Sequence, residues 1–126
     1  MGKRYLTDTN VLLEYLAGSL PKKAHDFVEN VINEDFNISV INRIEVLGHE
    51  SATQELTDFL DLATTHQLTQ EVEKQTIILR KHKKIKLPDA TIAAIALVLR
   101  FTIISRNTKD FVNIIGLDCL NPYEVL

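Results

Sequence analysis

Three isolated carboxylates, Asp8, Glu45 and Asp89, stand at the edges of segments that otherwise read as buried. Asp8 follows Tyr5-Leu6-Thr7. Glu45 lies on a short helix after Asn37-Ile38-Ser39-Val40, and Asp89 opens the most apolar helix of the chain. An ionised carboxylate is costly to bury unless its charge is offset. Three of them converging would need a cation, which points to a divalent metal and phosphodiester chemistry. Hard cations such as Mg²⁺ and Mn²⁺ prefer oxygen ligands, and Mg²⁺ keeps several of its waters. Such an ion lowers the pKa of a water, polarises a phosphoryl oxygen and stabilises a leaving oxygen. One metal or two remain equally open from the residues alone.

The elements that must position these acids can be read from apolar spacing. Tyr5-Leu6-Thr7 reads as a buried strand, with Asn10 capping a helix from Val11 to about Ala17 that Gly18 ends. A second helix follows Pro21, with Ala24, Phe27, Val28, Val31 and Ile32 as its apolar stripe. Ile38 and Val40 mark a second strand. Ile41, Ile44 and Leu47 carry a helix into Gly48, and Leu56, Phe59, Leu60 and Ala63 mark another. Thr65 to Thr69 is a weak third strand and Val72 to Lys84 a helix. Pro88 suits the start of a helix whose stretch Ala90 to Leu99 is apolar nearly all round. Phe101 to Ser105 and Asp118 to Leu120 give the last strands. Strands alternating with helices predict an α/β fold: a central parallel sheet of four to five strands flanked by helices in three layers, with residues 1–126 as one domain.

In such sheets ligands bind outside the carboxyl ends of the strands. Asp8 falls just past strand one, Asn107 and Asp110 just past strand four, and Glu45 on the helix leaving strand two. Each residue also has a plain structural role open to it. Asp8 suits a turn, Glu45 a solvated helix face, Asp89 the positive end of a helix dipole, and Asn107 and Asp110 loop caps. Arg80-Lys81-His82-Lys83-Lys84-Ile85-Lys86 is a basic run just before Asp89. Lys83, Lys84 and Lys86 could draw phosphates toward an acidic site that repels them, or simply be a solvated helix end. Arg43 and Arg106 flank acidic positions and are further phosphate candidates. The four histidines show no ligand spacing.

Composition narrows the classes. The 126 residues carry a net charge of −3, with 45% hydrophobic and 25% charged residues, which suits a globular domain and not a nucleic-acid coat protein. The single cysteine, Cys119, excludes an internal disulfide and a cysteine-rich metal site, and fits a reducing cytoplasm. No signal peptide is recognisable after Met1, and the longest apolar stretch, Ala90 to Leu99, is too short to span a bilayer. With only four glycines, a glycine-rich phosphate loop is absent.

The chain resembles PIN-domain ribonucleases, and the VapC-type toxins of toxin–antitoxin pairs in particular. Four segments carry the resemblance in order: residues 5–12 (Tyr-Leu-Thr-Asp-Thr-Asn-Val-Leu), 41–48 (Ile-Asn-Arg-Ile-Glu-Val-Leu-Gly), 86–97 from Lys86-Leu87-Pro88-Asp89, and 104–111 around Ser105-Arg106-Asn107 and Asp110-Phe111. Leu120-Asn121-Pro122-Tyr123 closes it. The resemblance implies Mg²⁺- or Mn²⁺-dependent cleavage of RNA to a 3′-hydroxyl and a 5′-phosphate. Asp8, Glu45 and Asp89 would be the central acids, Asp8 and Asp89 the direct ligands and Glu45 a ligand through water or an orienter of the nucleophile. Either Asn107 or Asp110 would fill the fourth position. Ser105 and Asn10 match polar positions that orient the site in relatives. A homodimer and an antitoxin partner are also implied, with Leu12, Leu13, Leu16 and Phe27 either an antitoxin groove or core.

Three rival readings follow from the same residues. A haloacid-dehalogenase-like phosphatase would make Asp8 a nucleophile, but the second acid of its Asp-x-Asp motif is Asn10 here. A receiver-like signalling domain would need an acceptor aspartate after strand three, which is missing. A degenerate PIN domain acting as a binding module is favoured only by Asn107.

Overall fold

The computed structural model describes residues 2–125. Its strands are short. Strand β1 (Tyr5–Thr7) leads into helix α1 (Thr9–Ala17), and helix α2 (Lys22–Glu34) returns the chain to β2 (Asn37–Ser39). Helices α3 (Val40–Leu47) and α4 (Gln54–Asp61) precede β3 (Thr64–His66). Helices α5 (Gln70–His82) and α6 (Leu87–Leu99) precede β4 (Thr102–Ile104), and β5 (Cys119–Leu120) comes last. Single 3₁₀ turns cover Thr108–Asp110 and Pro122–Glu124.

All ladders are parallel, in the order β1-β4-β5 and β2-β3. The expected sheet of four to five strands is therefore a three-stranded and a two-stranded ladder, with β2 lying against β1. A side chain bridges the seam: the carboxamide of Asn37 donates to the carbonyl of Tyr5 at 3.3 Å and to that of Asp35 at 3.2 Å.

Alternation along β4 sends its two isoleucines to opposite faces. Ile103 joins Leu6, Ile92, Ile95 and Phe111 in a core under α5 and α6, whereas Ile104 joins Val11, Val28 and Val31 under α1 and α2. Helices on both faces give the three layers. Every residue from Ala90 to Ala96 is buried, and the alanines among them let α5 and the sheet approach α6 closely.

Several boundaries depart from the sequence reading, and each departure has a capping side chain behind it. Asp8, not Asn10, caps α1, accepting from the Thr9 N–H at 2.8 Å. Val40 belongs to α3 and not to β2, because the Ser39 hydroxyl accepts from the Asn42 N–H and turns the chain there. The third strand runs over Thr64–His66, and Thr69 instead caps α5 through the Val72 N–H. Gly18 ends α1 in the left-handed region (φ 71°), as expected. Leu12 is core with Phe36, Ile38 and Leu60, and Phe27 packs on the cluster of Val11 and Val28, while Leu13 and Leu16 are about half exposed at 45% and 46%. Among the described residues no helix is long and apolar enough to cross a membrane.

Candidate metal centre

The segments that follow β1, β2 and β4 meet at Asp8. Its N–H donates to the Ile104 carbonyl at 2.9 Å, which ties it to the end of β4. Its carboxylate is held by three donors. Oδ1 accepts from the Thr9 N–H at 2.8 Å and from Asn42 Nδ2 at 2.9 Å. Oδ2 accepts from the Ser105 hydroxyl at 2.8 Å. A carboxylate offers about four lone pairs. Both on Oδ1 are taken and one on Oδ2 is left, so Asp8 has one lone pair to give.

Ser105 is fully buried and acts as the hub of the β4 side. Its oxygen accepts from the Asn107 N–H at 3.1 Å, and Asn10 Nδ2 points to it from 3.5 Å. Asn107 is thus tied in through its backbone, and its side chain is exposed. The Oδ1 atom of Asn10 is buried without a partner.

Glu45 projects from α3 one turn after Asn42. The residue as a whole is exposed, yet its carboxyl loses hydration at the site. That loss is the main cause of a pKa above the usual carboxylate value, and the charges of Asp8 and then Asp89 push it further up. Asp89, in the first turn of α6, is also raised, by burial first and then by the charges of Asp110 and Asp8, against a lowering by Lys86. Of the two candidates in the β4 loop, Asp110 is the one whose charge reaches Asp89. Asp8, Glu45, Asp89 and Asp110 therefore share one electrostatic field. Cys119 stays a thiol, pushed up to about 11 by burial and then by Asp8, and offers no thiolate.

The donor set is all carboxylate oxygen, and it fits a hard divalent cation by type. Its spacing is loose. Among the described residues, one group of at least three ligating side chains has its ligand atoms within 4.8 Å of one another: His25, Asp26 and Glu29 on α2. The sequence reading found no ligand spacing for any histidine and missed this i, i+1, i+4 arrangement. Those side chains already have partners. Lys22 donates to Asp26 at 3.1 Å, the Tyr15 hydroxyl donates to Glu29 at 3.1 Å, and the Tyr15 ring stacks on His25 at 4.9 Å. Asp8, Glu45 and Asp89 are less tightly gathered than that group.

A cleft of about 420 Å³ adjoins the acids. Asp89 and Asp110 line it together with Lys83, Lys84, Lys86 and Lys109, while Asp8 and Glu45 lie outside its lining. The basic run thus faces two of the acids. The two arginine candidates are engaged elsewhere: Arg43 pairs with Asp61, and Arg106 pairs with Glu14 at 2.8 Å while lying 4.1 Å over the Tyr123 ring.

Asn42 and Ser39 were given no role from sequence. Both are buried, and each satisfies the other: the Ser39 hydroxyl donates to Asn42 Oδ1 at 2.8 Å and accepts from the Asn42 N–H at 3.0 Å. The signal was present as Ser39-x-x-Asn42, the spacing of a reciprocal helix cap.

A family model, the PIN domain, matches residues 5–116. Among solved structures, a toxin–antitoxin complex from Klebsiella pneumoniae contains a similar chain with 30% identity and a TM-score of 0.76, the match covering 96% of this chain and 99% of that one. FitAcB from Neisseria gonorrhoeae has the same fold with 23% identity and a TM-score of 0.79 over 96% of this chain and 99% of that one. So does VapBC2 from Rickettsia felis, bound to a fragment of promoter DNA, with 21% identity and a TM-score of 0.73 over 93% and 97%. Comparison with curated proteins finds no significant match.

Proposed function

The chain belongs to the PIN domain family, and from that premise we propose that it is a Mg²⁺- or Mn²⁺-dependent endoribonuclease that serves as the toxin of a toxin–antitoxin pair. The observation that carries the nuclease reading is the shared field of Asp8, Glu45, Asp89 and Asp110 beside a lysine-lined cleft. Carboxyls such as Glu45 and Asp89, raised by burial and by neighbouring negative charge, are poised for a cation, and lysines on the flank supply the attraction that an acidic site lacks for a polyanion.

In this reading Asp8 and Asp89 hold the cation directly, Asp110 fills the fourth acidic position, and Glu45 acts through water or orients the nucleophile. When bound, the ion activates water and neutralises charge developing on the phosphoryl oxygens. Lys83, Lys84 and Lys86 hold phosphates of a single-stranded or looped RNA along the cleft. Arg43 and Arg106, already paired with acids, contribute less to that hold. Asn10 and Ser105 orient the Asp8 side of the site. Water attacks the phosphorus in line, the P–O3′ bond breaks, and O3′ takes up a proton. The products are a 3′-hydroxyl and a 5′-phosphate.

The toxin role rests on the likeness to a chain of a toxin–antitoxin complex at 30% identity over nearly the whole length. Leu13 and Leu16 on α1, exposed where Leu12 is not, are the residues assigned to antitoxin contact. A homodimer in the cytoplasm completes the proposal. The deciding experiment is cleavage of an end-labelled RNA with Mn²⁺. The wild type should cut and leave 5′-phosphate ends, and Asp8→Asn should not. Binding of RNA and Mn²⁺ without cleavage would favour the binding module instead.

A further inference from the structure

Asn42 reaches the proposed centre with its side chain buried and only 1% of its surface exposed. Burying a primary amide is tolerated only where its hydrogen bonds are made. Here they are made in one sense alone. The Asp8 carboxylate can only accept, so it draws Nδ2 to its Oδ1 at 2.9 Å, with Thr9 Oγ1 at 3.3 Å, and leaves the amide oxygen to accept from the Ser39 hydroxyl. A flipped amide would set its oxygen against a carboxylate oxygen and lose the bond to Asp8, the one partner of the three that can only accept.

The consequence lies in which oxygen of Asp8 remains available. The Thr9 N–H and Asn42 fill the lone pairs of Oδ1, and Ser105 takes one of Oδ2. We propose that Asn42 is a positioning residue that makes Asp8 a one-oxygen ligand, offering a divalent cation only the remaining lone pair of Oδ2. This rests on the nuclease reading of the site. Without the amide, one lone pair of Oδ1 opens to the ion, and the carboxylate is held by the Thr9 N–H and the Ser105 hydroxyl alone. The ion is then held less tightly, and its place relative to Asp89 is less defined. Asn42 does not touch the reacting phosphate and acts through Asp8 alone.

The test replaces the amide by a shape of similar size that cannot donate. Asn42→Leu should melt in EDTA within a few degrees of the wild type and bind Mn²⁺ about tenfold more weakly by calorimetry, the low end of losses when a group holding a metal ligand is removed. In cleavage, the Mn²⁺ concentration for half-maximal rate should rise by the same factor. Excess Mn²⁺ should restore kcat while KM for RNA stays unchanged. A residue that merely supports the fold would not give a loss that metal rescues. Asn42→Ala removes the same donor and serves if leucine is not accommodated. Wild-type affinity for Mn²⁺ in a folded variant, or a rate loss that excess Mn²⁺ leaves in place, would overturn the role. A wild type that binds no Mn²⁺ would overturn the nuclease reading as well. If the wild type binds, Asp8→Asn does not, and Asn42→Leu binds normally, only the assignment of Asn42 falls.

Discussion

Asp8 combines two demands that seldom coincide in one side chain. Its Oδ1 caps α1, and its Oδ2 accepts from Ser105 with one lone pair to spare. Asparagine caps a helix about as well as aspartate, so Asp8→Asn separates the two roles. Without metal the variant should melt no lower than the wild type, because it keeps the cap and removes one of the charges that Glu45 and Asp89 feel. Mn²⁺ should raise the melting temperature of the wild type and leave that of Asp8→Asn unchanged; equal shifts in the two would remove Asp8 from the centre. Asp89→Asn should likewise stay folded, since its side chain caps nothing, and should lose RNA cleavage. The acids themselves were legible as lone carboxylates at the ends of apolar segments. What holds them was not, because Ser39 and Asn42 read as ordinary polar residues until the bond between them is seen. That Asp110 lines the cleft with Asp89 while Asn107 is tied in through its backbone was equally hidden, since it depends on how the 3₁₀ turn Thr108–Asp110 aims the loop.

At the scale of elements, three-residue strands are too short to show their alternation, and capping side chains decide where each one stops. Ser39 took Val40 out of β2, and Thr69 took the last residues out of the third strand. Element types and order survived because the helices are long enough to carry an apolar stripe. The seam between β1 and β2 was invisible, for it is made by side chains. The orientation of Asn37 leaves its Oδ1 facing His66 Nε2 at 2.9 Å, and the His66 ring lies against Phe101, which also carries the Arg4 guanidinium at 4.9 Å. Burial and then Arg4 hold His66 below its ordinary pKa of 6.5, against a raising effect from Asp35. The folded state thus disfavours the charged ring. Above pH 6.5 the ring is neutral whether the chain is folded or not, and nothing is lost. As the pH falls below that value the unfolded chain takes up a proton that the folded one resists, so stability declines. The urea midpoint of the wild type should drop between pH 7.5 and pH 5.5. His66→Gln, which can still donate to Asn37, should show a smaller drop; an equal drop would place the titrating group elsewhere.

For the whole molecule, a net charge of −3 says little about how charge is arranged. The order of the motifs along the chain was enough to suggest the family, because each falls at the end of a strand–helix unit, but no one-dimensional pattern tells which residues a cleft brings together. The basic run and two of the acids prove to share one: Lys83, Lys84, Lys86 and Lys109 line it together with Asp89 and Asp110. An RNA strand entering there meets the lysines beside the acids, and the lysines' share of the attraction is electrostatic and screened by salt. Each phosphate neutralised on a single strand contributes roughly 0.7 to the slope of log affinity against log salt concentration. If all three expected lysines engage phosphates, replacing Lys83, Lys84 and Lys86 by glutamine should flatten that slope by about 2. Measured in the non-cleaving Asp8→Asn background with a labelled single-stranded RNA, the change isolates binding from chemistry. The replacements lie outside the hydrogen bonds that hold Asp8 and remove positive charge that acts on Asp89, so the same three changes in the otherwise wild-type chain should leave its Mn²⁺-induced gain in melting temperature no smaller. An unchanged slope would make the run a solvated helix end, and the RNA would then have to reach the acids from the Asn10–Arg106 side, where Arg106 is already paired with Glu14.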